Sequence, residues 1–212
     1  MTHIVLLGDS VFDNAAYVHG APDVIRQLRA HLGSGARATL GAVDGHVTRN
    51  VAEQLRDAPR DATHLVVSVG GNDALGHMSV LEEGASNMAS AIERLSDVAA
   101  AFRQEYQVML DALAERRLPS AVATIYDPRF PSYRLQRLAV TALALFNNVI
   151  LREAATRGLP VLDLRLICDD DRDYANPIEP SVHGGEKIAA TIARLVAEHD
   201  FGRRRTEVFA RA

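Results

Sequence analysis

The chain has no tryptophan and a single cysteine, Cys168. One thiol excludes an intrachain disulfide and any cysteine-rich structural zinc site. An excess of positive charge is also missing. Lysine and arginine number 23 against 27 acidic residues, so the net charge is 23 − 27 = −4 with histidine neutral. That balance argues against nucleic acid or an anionic membrane as the main partner, and the basic run Arg203, Arg204, Arg205 reads as a solvated terminus. No uncharged apolar run reaches about 18 residues, so no membrane-spanning helix is expected. The first residues lack a basic segment followed by an apolar stretch and a small-residue cleavage site, and the expected location is cytoplasmic. Three glycine signatures are missing as well. No G-x-x-x-x-G-K-[ST] loop occurs and no G-x-G-x-x-G follows the first apolar run, which argues against nucleotide binding and phosphotransfer. No G-x-S-x-G occurs, which argues against a nucleophile-elbow hydrolase.

What is present is a patterned chain of 212 residues, 48% of them apolar. That is enough for one domain over residues 1–212 with a sizeable core. Strand-like apolar runs occupy 3–7, 37–40, 64–69, 120–126 and 160–164. Segments with helical spacing cover 21–32, 88–113, 134–156 and 183–199, and their apolar faces, Met88 and Met109 included, are expected in the core. Apolar strands alternating with helices predict an α/β fold, a three-layer α/β/α sandwich on a parallel sheet of about five strands. The least regular segments, 127–133 and 168–181, both follow strands and belong at the edge where ligands bind. The second holds Asp169, Asp170, Asp171 and Asp173. They read as a solvated loop in preference to a metal site, and no metal or cofactor is expected.

Four strand ends carry suggestive chemistry. They are Gly8-Asp9-Ser10, Gly45-His46-Val47-Thr48, Gly70-Gly71-Asn72-Asp73 and Glu179-Pro180-Ser181-Val182-His183. A parallel sheet gathers all four on one edge. Together they hold the parts of an acyl-transfer site. A serine hydroxyl needs a base within hydrogen-bond reach, and neutral histidine suits that task near pH 7. A tetrahedral oxyanion needs donors fixed in advance. Glycine lets a backbone N–H approach closely, and an asparagine amide adds a side-chain donor. Each residue also has a plainer reading. Ser10 alone is a helix cap, Asn72 a turn residue, His183 the start of the last helix, and His46 a surface side chain. Asp9, Asp13 and Asn14 read as braces of the first turn.

The four stretches resemble those of the SGNH hydrolases, also called GDSL-type esterases and lipases. They occur in that family's order from residue 8 to residue 185. The resemblance implies a flavodoxin-like sandwich and a cofactor-free serine hydrolase that cleaves small carboxylic esters. Ser10 would be the nucleophile and His183 the base. The oxyanion hole would come from Ser10 N–H, Gly45 N–H and the Asn72 amide. The last stretch departs from the family pattern. An aspartate is expected three residues before the histidine to orient its ring, and Pro180 stands there. Glu179, a backbone carbonyl, Asp163 or the 169–173 cluster are the candidates to replace it. Two alternatives stay open: a deacetylase or thioesterase of the same fold, and a catalytically weak binding module.

Overall fold

The computed structural model describes residues 1–210. Five parallel strands form where the apolar runs predict them: β1 (His3–Gly8), β2 (Arg37–Leu40), β3 (His64–Ser68), β4 (Ser120–Ala123) and β5 (Val161–Leu162). Successive strand residues point to opposite faces, so Ile4 and Leu6 of β1 join one buried cluster while Val5 and Leu7 join the other. Helices cover both. On the first face lie α1 (Val24–His31), a short α6 (Leu164–Ile167) and α7 (Val182–Glu198). On the second lie α2 (Val51–Asp57), α4 (Met88–Glu115) and α5 (Tyr133–Arg157). The short α3 (Gly71–Gly76) follows β3 directly.

Three features differ from the sequence-based expectation. The sheet has six strands, not five, because β8 (Val208–Phe209) pairs in parallel with β5. Two residues carry no periodicity, so this strand is silent in the sequence. Segment 168–181 is not wholly irregular either. It contains an antiparallel pair, β6 (Tyr174–Asn176) and β7 (Glu179–Pro180), in which Asn176 faces Glu179. Finally, Met109 is buried but Met88 and Ile92 are 74% and 58% exposed, because the first turns of α4 run past the core that holds its last turns. One helix, α5, carries an 18-residue window apolar enough to cross a bilayer by length and composition, at mean hydropathy 1.3. Its Phe146, Val149, Ile150 and Ala154 are buried against the sheet.

The strand order β2-β1-β3-β4-β5-β8 reverses direction between β1 and β3. In open α/β sheets the crevice beyond the carboxyl ends at that reversal is the ligand-binding position. Gly8 ends β1 there with φ of +126°, and a Cβ on it would lie 1.7 Å from the Ser68 carbonyl oxygen. Gln54 of α2 holds the same residue from the other side. Its Oε1 accepts the Gly8 N–H at 2.7 Å and its Nε2 donates to the Gly8 carbonyl at 2.8 Å.

Two stability outcomes follow. Phe209 is 5% exposed, and its ring lies edge-on to His199 at 6.1 Å. Phe209→Ala is expected to cost about 3 kcal/mol in urea unfolding with an unchanged m-value; a loss below about 0.5 kcal/mol would show that β8 does not close the sheet. Gln54→Leu strands the buried Gly8 N–H without an acceptor and is expected to cost about 1–3 kcal/mol in the same experiment.

Candidate active site

Beyond Gly8 the chain turns at once, and Asp9 holds the turn. Its side chain accepts the Val11 N–H at 3.1 Å, and its carbonyl accepts from Phe12 and Asp13. Ser10 sits inside this turn, buried, with its N–H uncommitted to any acceptor among the described residues. It does not cap α1. Asp23 does, accepting the Arg26 N–H. Asn14 is fully buried and acts as a brace. Its Oδ1 accepts the Val24 N–H at the start of α1, and its Nδ2 donates to the Pro180 carbonyl at 3.2 Å.

The loops after β2 and β3 are tied to this turn and to each other. The Val43 N–H donates to the Gly8 carbonyl, and the Asp44 N–H to Asp13 Oδ2. Gly45 follows with φ of +80°, and its N–H has no acceptor among the described residues. The Thr48 N–H and hydroxyl both donate to Asp73 Oδ2 at 3.0 Å. His46 is not a loose surface side chain. Its carbonyl accepts the Asn72 Nδ2 at 2.9 Å, and its Nδ1 meets the Gln54 amide at 2.9 Å. An amide carries two N–H donors, so this bond orients Asn72 and leaves its second proton free.

Ser10 and Asn72 line one cleft. Its polar floor is Asp9, Ser10, Asn72 and Glu179, and its walls include Val69, Leu75, Val98, Ile125, Tyr126 and Phe146. Of the aromatics in or beside the irregular segments, Tyr126 and Phe130 line it. Tyr174 instead packs edge-on to Tyr126, with ring centroids 5.3 Å apart, and Tyr133 is exposed.

The last block is arranged otherwise than the sequence suggests. Ser181 caps α7, accepting the N–H groups of His183 and Gly184, so His183 lies within the first helical turn. Its ring is half exposed, its Nε2 is 3.6 Å from Asp173 Oδ1, and it makes no hydrogen bond to Ser10 among the described residues. His183 therefore does not meet the serine. Glu179 shares the cleft with Ser10 instead, buried on β7. Its Oε2 is buried without a partner. Glu179, one of the candidates to orient His183, lines the cleft with Ser10, whereas His183 does not line it.

Burial dominates the electrostatics. It pushes the Glu179 carboxyl up to about 7, helped by the Asp44 charge and opposed by the Ser10 hydroxyl bond. It pushes Asp9 up to about 8, with Glu179, Asp73 and Asp44 adding to the rise and the Val11 N–H opposing it. The other acids named from sequence are engaged elsewhere. Asp163 bonds Thr124 and Arg165 and caps α6. Asp170 pairs with Arg172, Asp171 with Arg129, and the fully buried Asp173 with Lys187. Among the described residues no group of three histidine, cysteine or acidic side chains is placed to hold a metal ion. The lone Cys168 is buried, and burial raises its thiol to about 12, which leaves it without nucleophilic character.

The fold has close counterparts. The extracellular lipase of Streptomyces rimosus superposes with a TM-score of 0.65 at 19% identity, covering 92% of this chain and 99% of that one. A lipase from a goat rumen metagenome superposes at 0.68 and 18% identity, covering 97% and 100%. The lipase/acylhydrolase of Enterococcus faecalis superposes at 0.67 and 20% identity, covering 92% and 95%. No protein of curated function matches the sequence. The profile of the GDSL-like Lipase/Acylhydrolase family matches residues 6–188, a span that begins in β1, takes in all four loops at the sheet edge and ends in α7, and the chain accordingly belongs to that family of hydrolases.

Proposed function

We propose that this protein hydrolyses carboxylic esters with an apolar acyl group, through an acyl-enzyme on Ser10. The observation that carries this is the placement of Ser10. It lines an apolar-walled cleft together with the buried Glu179 carboxyl and the Asn72 amide, which supports this reading. Ser10 Oγ attacks the ester carbonyl. The developing oxyanion is met by the Ser10 N–H and the free Asn72 amide proton, with the Gly45 N–H as the third donor. Donors already held in place by the folded chain need no reorganisation when the charge appears. The Asn72–His46 bond and the Asp73–Thr48 bonds supply that rigidity. Collapse expels the alcohol, and water then releases the acid. The reaction requires no cofactor.

The cleft walls favour this reading over an acetylated sugar. Val69, Leu75, Val98 and Phe146 offer no hydrogen-bond partner for hydroxyls, whereas each buried methylene gains about 0.8 kcal/mol.

Ser10→Ala is expected to lose p-nitrophenyl ester turnover by about 1,000-fold or more, while undiminished turnover would sink the assignment. Asn72→Ala is expected to lower kcat about 100-fold with little change in KM, as removal of an oxyanion donor does. Across acyl lengths, kcat/KM for the hexanoate is expected to exceed that for the acetate at least about tenfold. Equal values, or a preference for acetylated xylose or for an acyl thioester, would point to another acyl substrate.

A further inference from the structure

We infer that the Glu179 carboxylate is the base that takes the Ser10 proton, in place of a histidine. This rests on the reading of Ser10 as nucleophile and concerns the next atom along.

Geometry carries it. Glu179 is 6% exposed and lines the cleft together with Ser10, and its Oε2 is buried with no partner. A buried, unsatisfied carboxylate oxygen beside a hydroxyl is costly in a fold and needs a reason. The backbone around it is pinned on three sides. Asn14 Nδ2 donates to the Pro180 carbonyl, the Tyr126 hydroxyl to the Ile178 carbonyl at 2.7 Å, and Gln27 Nε2 to the Val182 carbonyl at 2.8 Å. These bonds hold Glu179 in place without touching its carboxyl. The histidines are badly placed for the task. His183 is committed to α7 and turned to Asp173. His77 is the one histidine lining the cleft among the described residues, and it is exposed at the end of α3, five residues beyond Asn72.

The proton balance closes without another reactant. Ser10 Oγ–H passes its proton to a Glu179 oxygen as the Oγ–C bond forms. On collapse the C–O bond to the alcohol breaks, and the alcohol leaves with that proton. Water then gives a proton to Glu179 while its oxygen bonds the acyl carbon. The Oγ–C bond breaks, and the proton returns to Oγ. An ordinary glutamate would be a weak base, but burial lifts this one to about 7, where a general base works well at neutral pH. The groups facing it are acidic or phenolic: Asp9 beyond β1, Asp44 beyond β2, Tyr17, whose hydroxyl is raised chiefly by its bond to Asp44, and Tyr126, raised chiefly by burial, with Glu179 adding to the rise at Asp9 and both tyrosines.

The test compares Glu179→Gln, Glu179→Asp, His183→Ala, His77→Ala and the double histidine variant on p-nitrophenyl hexanoate from pH 5 to 9. E179Q is expected to lose at least about 100-fold in kcat/KM, with E179D partly active. The wild type is expected to show an acid limb centred near pH 7, and the double histidine variant to keep both that limb and turnover within a few-fold. E179Q should also melt above the wild type at pH 8.5, because a carboxyl raised in the folded state destabilises it once ionised. Retained turnover in E179Q, or loss of the limb in the double histidine variant, would overturn the inference. Should E179Q fail to fold, the double variant alone decides. Turnover that survives Ser10→Ala, or no ester turnover by the wild type, would remove the nucleophile reading and the base with it.

Discussion

The site depends on how closely β1 and β3 end beside each other. At Gly8 the backbone passes so near the Ser68 carbonyl that no side chain fits between them. This contact puts the Asp9–Ser10 turn against the start of α3, where Asn72 stands. Gln54 fixes the same point from below and reaches His46, whose carbonyl orients the Asn72 amide. One close approach, clamped by one side chain, thus sets Ser10 and Asn72 in register. The family match over residues 6–188 spans the whole of this arrangement.

The second constraint is charge. Asp9 and Glu179 both line the cleft; burial keeps each from ionising easily, and the Glu179 charge adds to the rise at Asp9. A histidine base becomes a cation as it accepts the serine proton and then attracts the oxyanion. In the proposed reaction the carboxylate base becomes neutral, so negative charge would move from Glu179 to the substrate oxygen with no cation left beside it. More of the stabilisation then falls to the Ser10 N–H and the Asn72 amide. The same burial lowers stability as pH rises through the carboxyl values near 7 and 8, since both groups hold their protons more tightly folded than unfolded. Functional sites commonly carry such a penalty.

Much of this was legible in the sequence. The five apolar runs are strands because β-branched and leucine-rich stretches with no polar face suit a sheet covered on both sides. The Gly-Asp-Ser and Gly-Asn-Asp turns fell where those strands end. What was not legible has a physical cause in each case. Phe209 forms a strand through its partner β5, not through its own pattern. Met88 and Ile92 continue the periodicity of α4 past the point where the core stops. His183 looked like the base because a histidine near the C-terminus fits the family order. Ser181 held the contrary signal. A serine just before an apolar helical pattern is a cap, which puts His183 inside the helix and leaves the residue before Pro180 at the sheet edge. Counting back three residues from the histidine hid the buried carboxyl that lines the cleft with Ser10.

The central claim is that Ser10 is an activated nucleophile in this cleft. Its most direct test is peptide mapping by mass spectrometry after incubation of the intact protein with a fluorophosphonate at pH 8. The structure leads us to expect one phosphonyl adduct per chain, located on Ser10. An unmodified Ser10, or an adduct on another serine, would contradict the account.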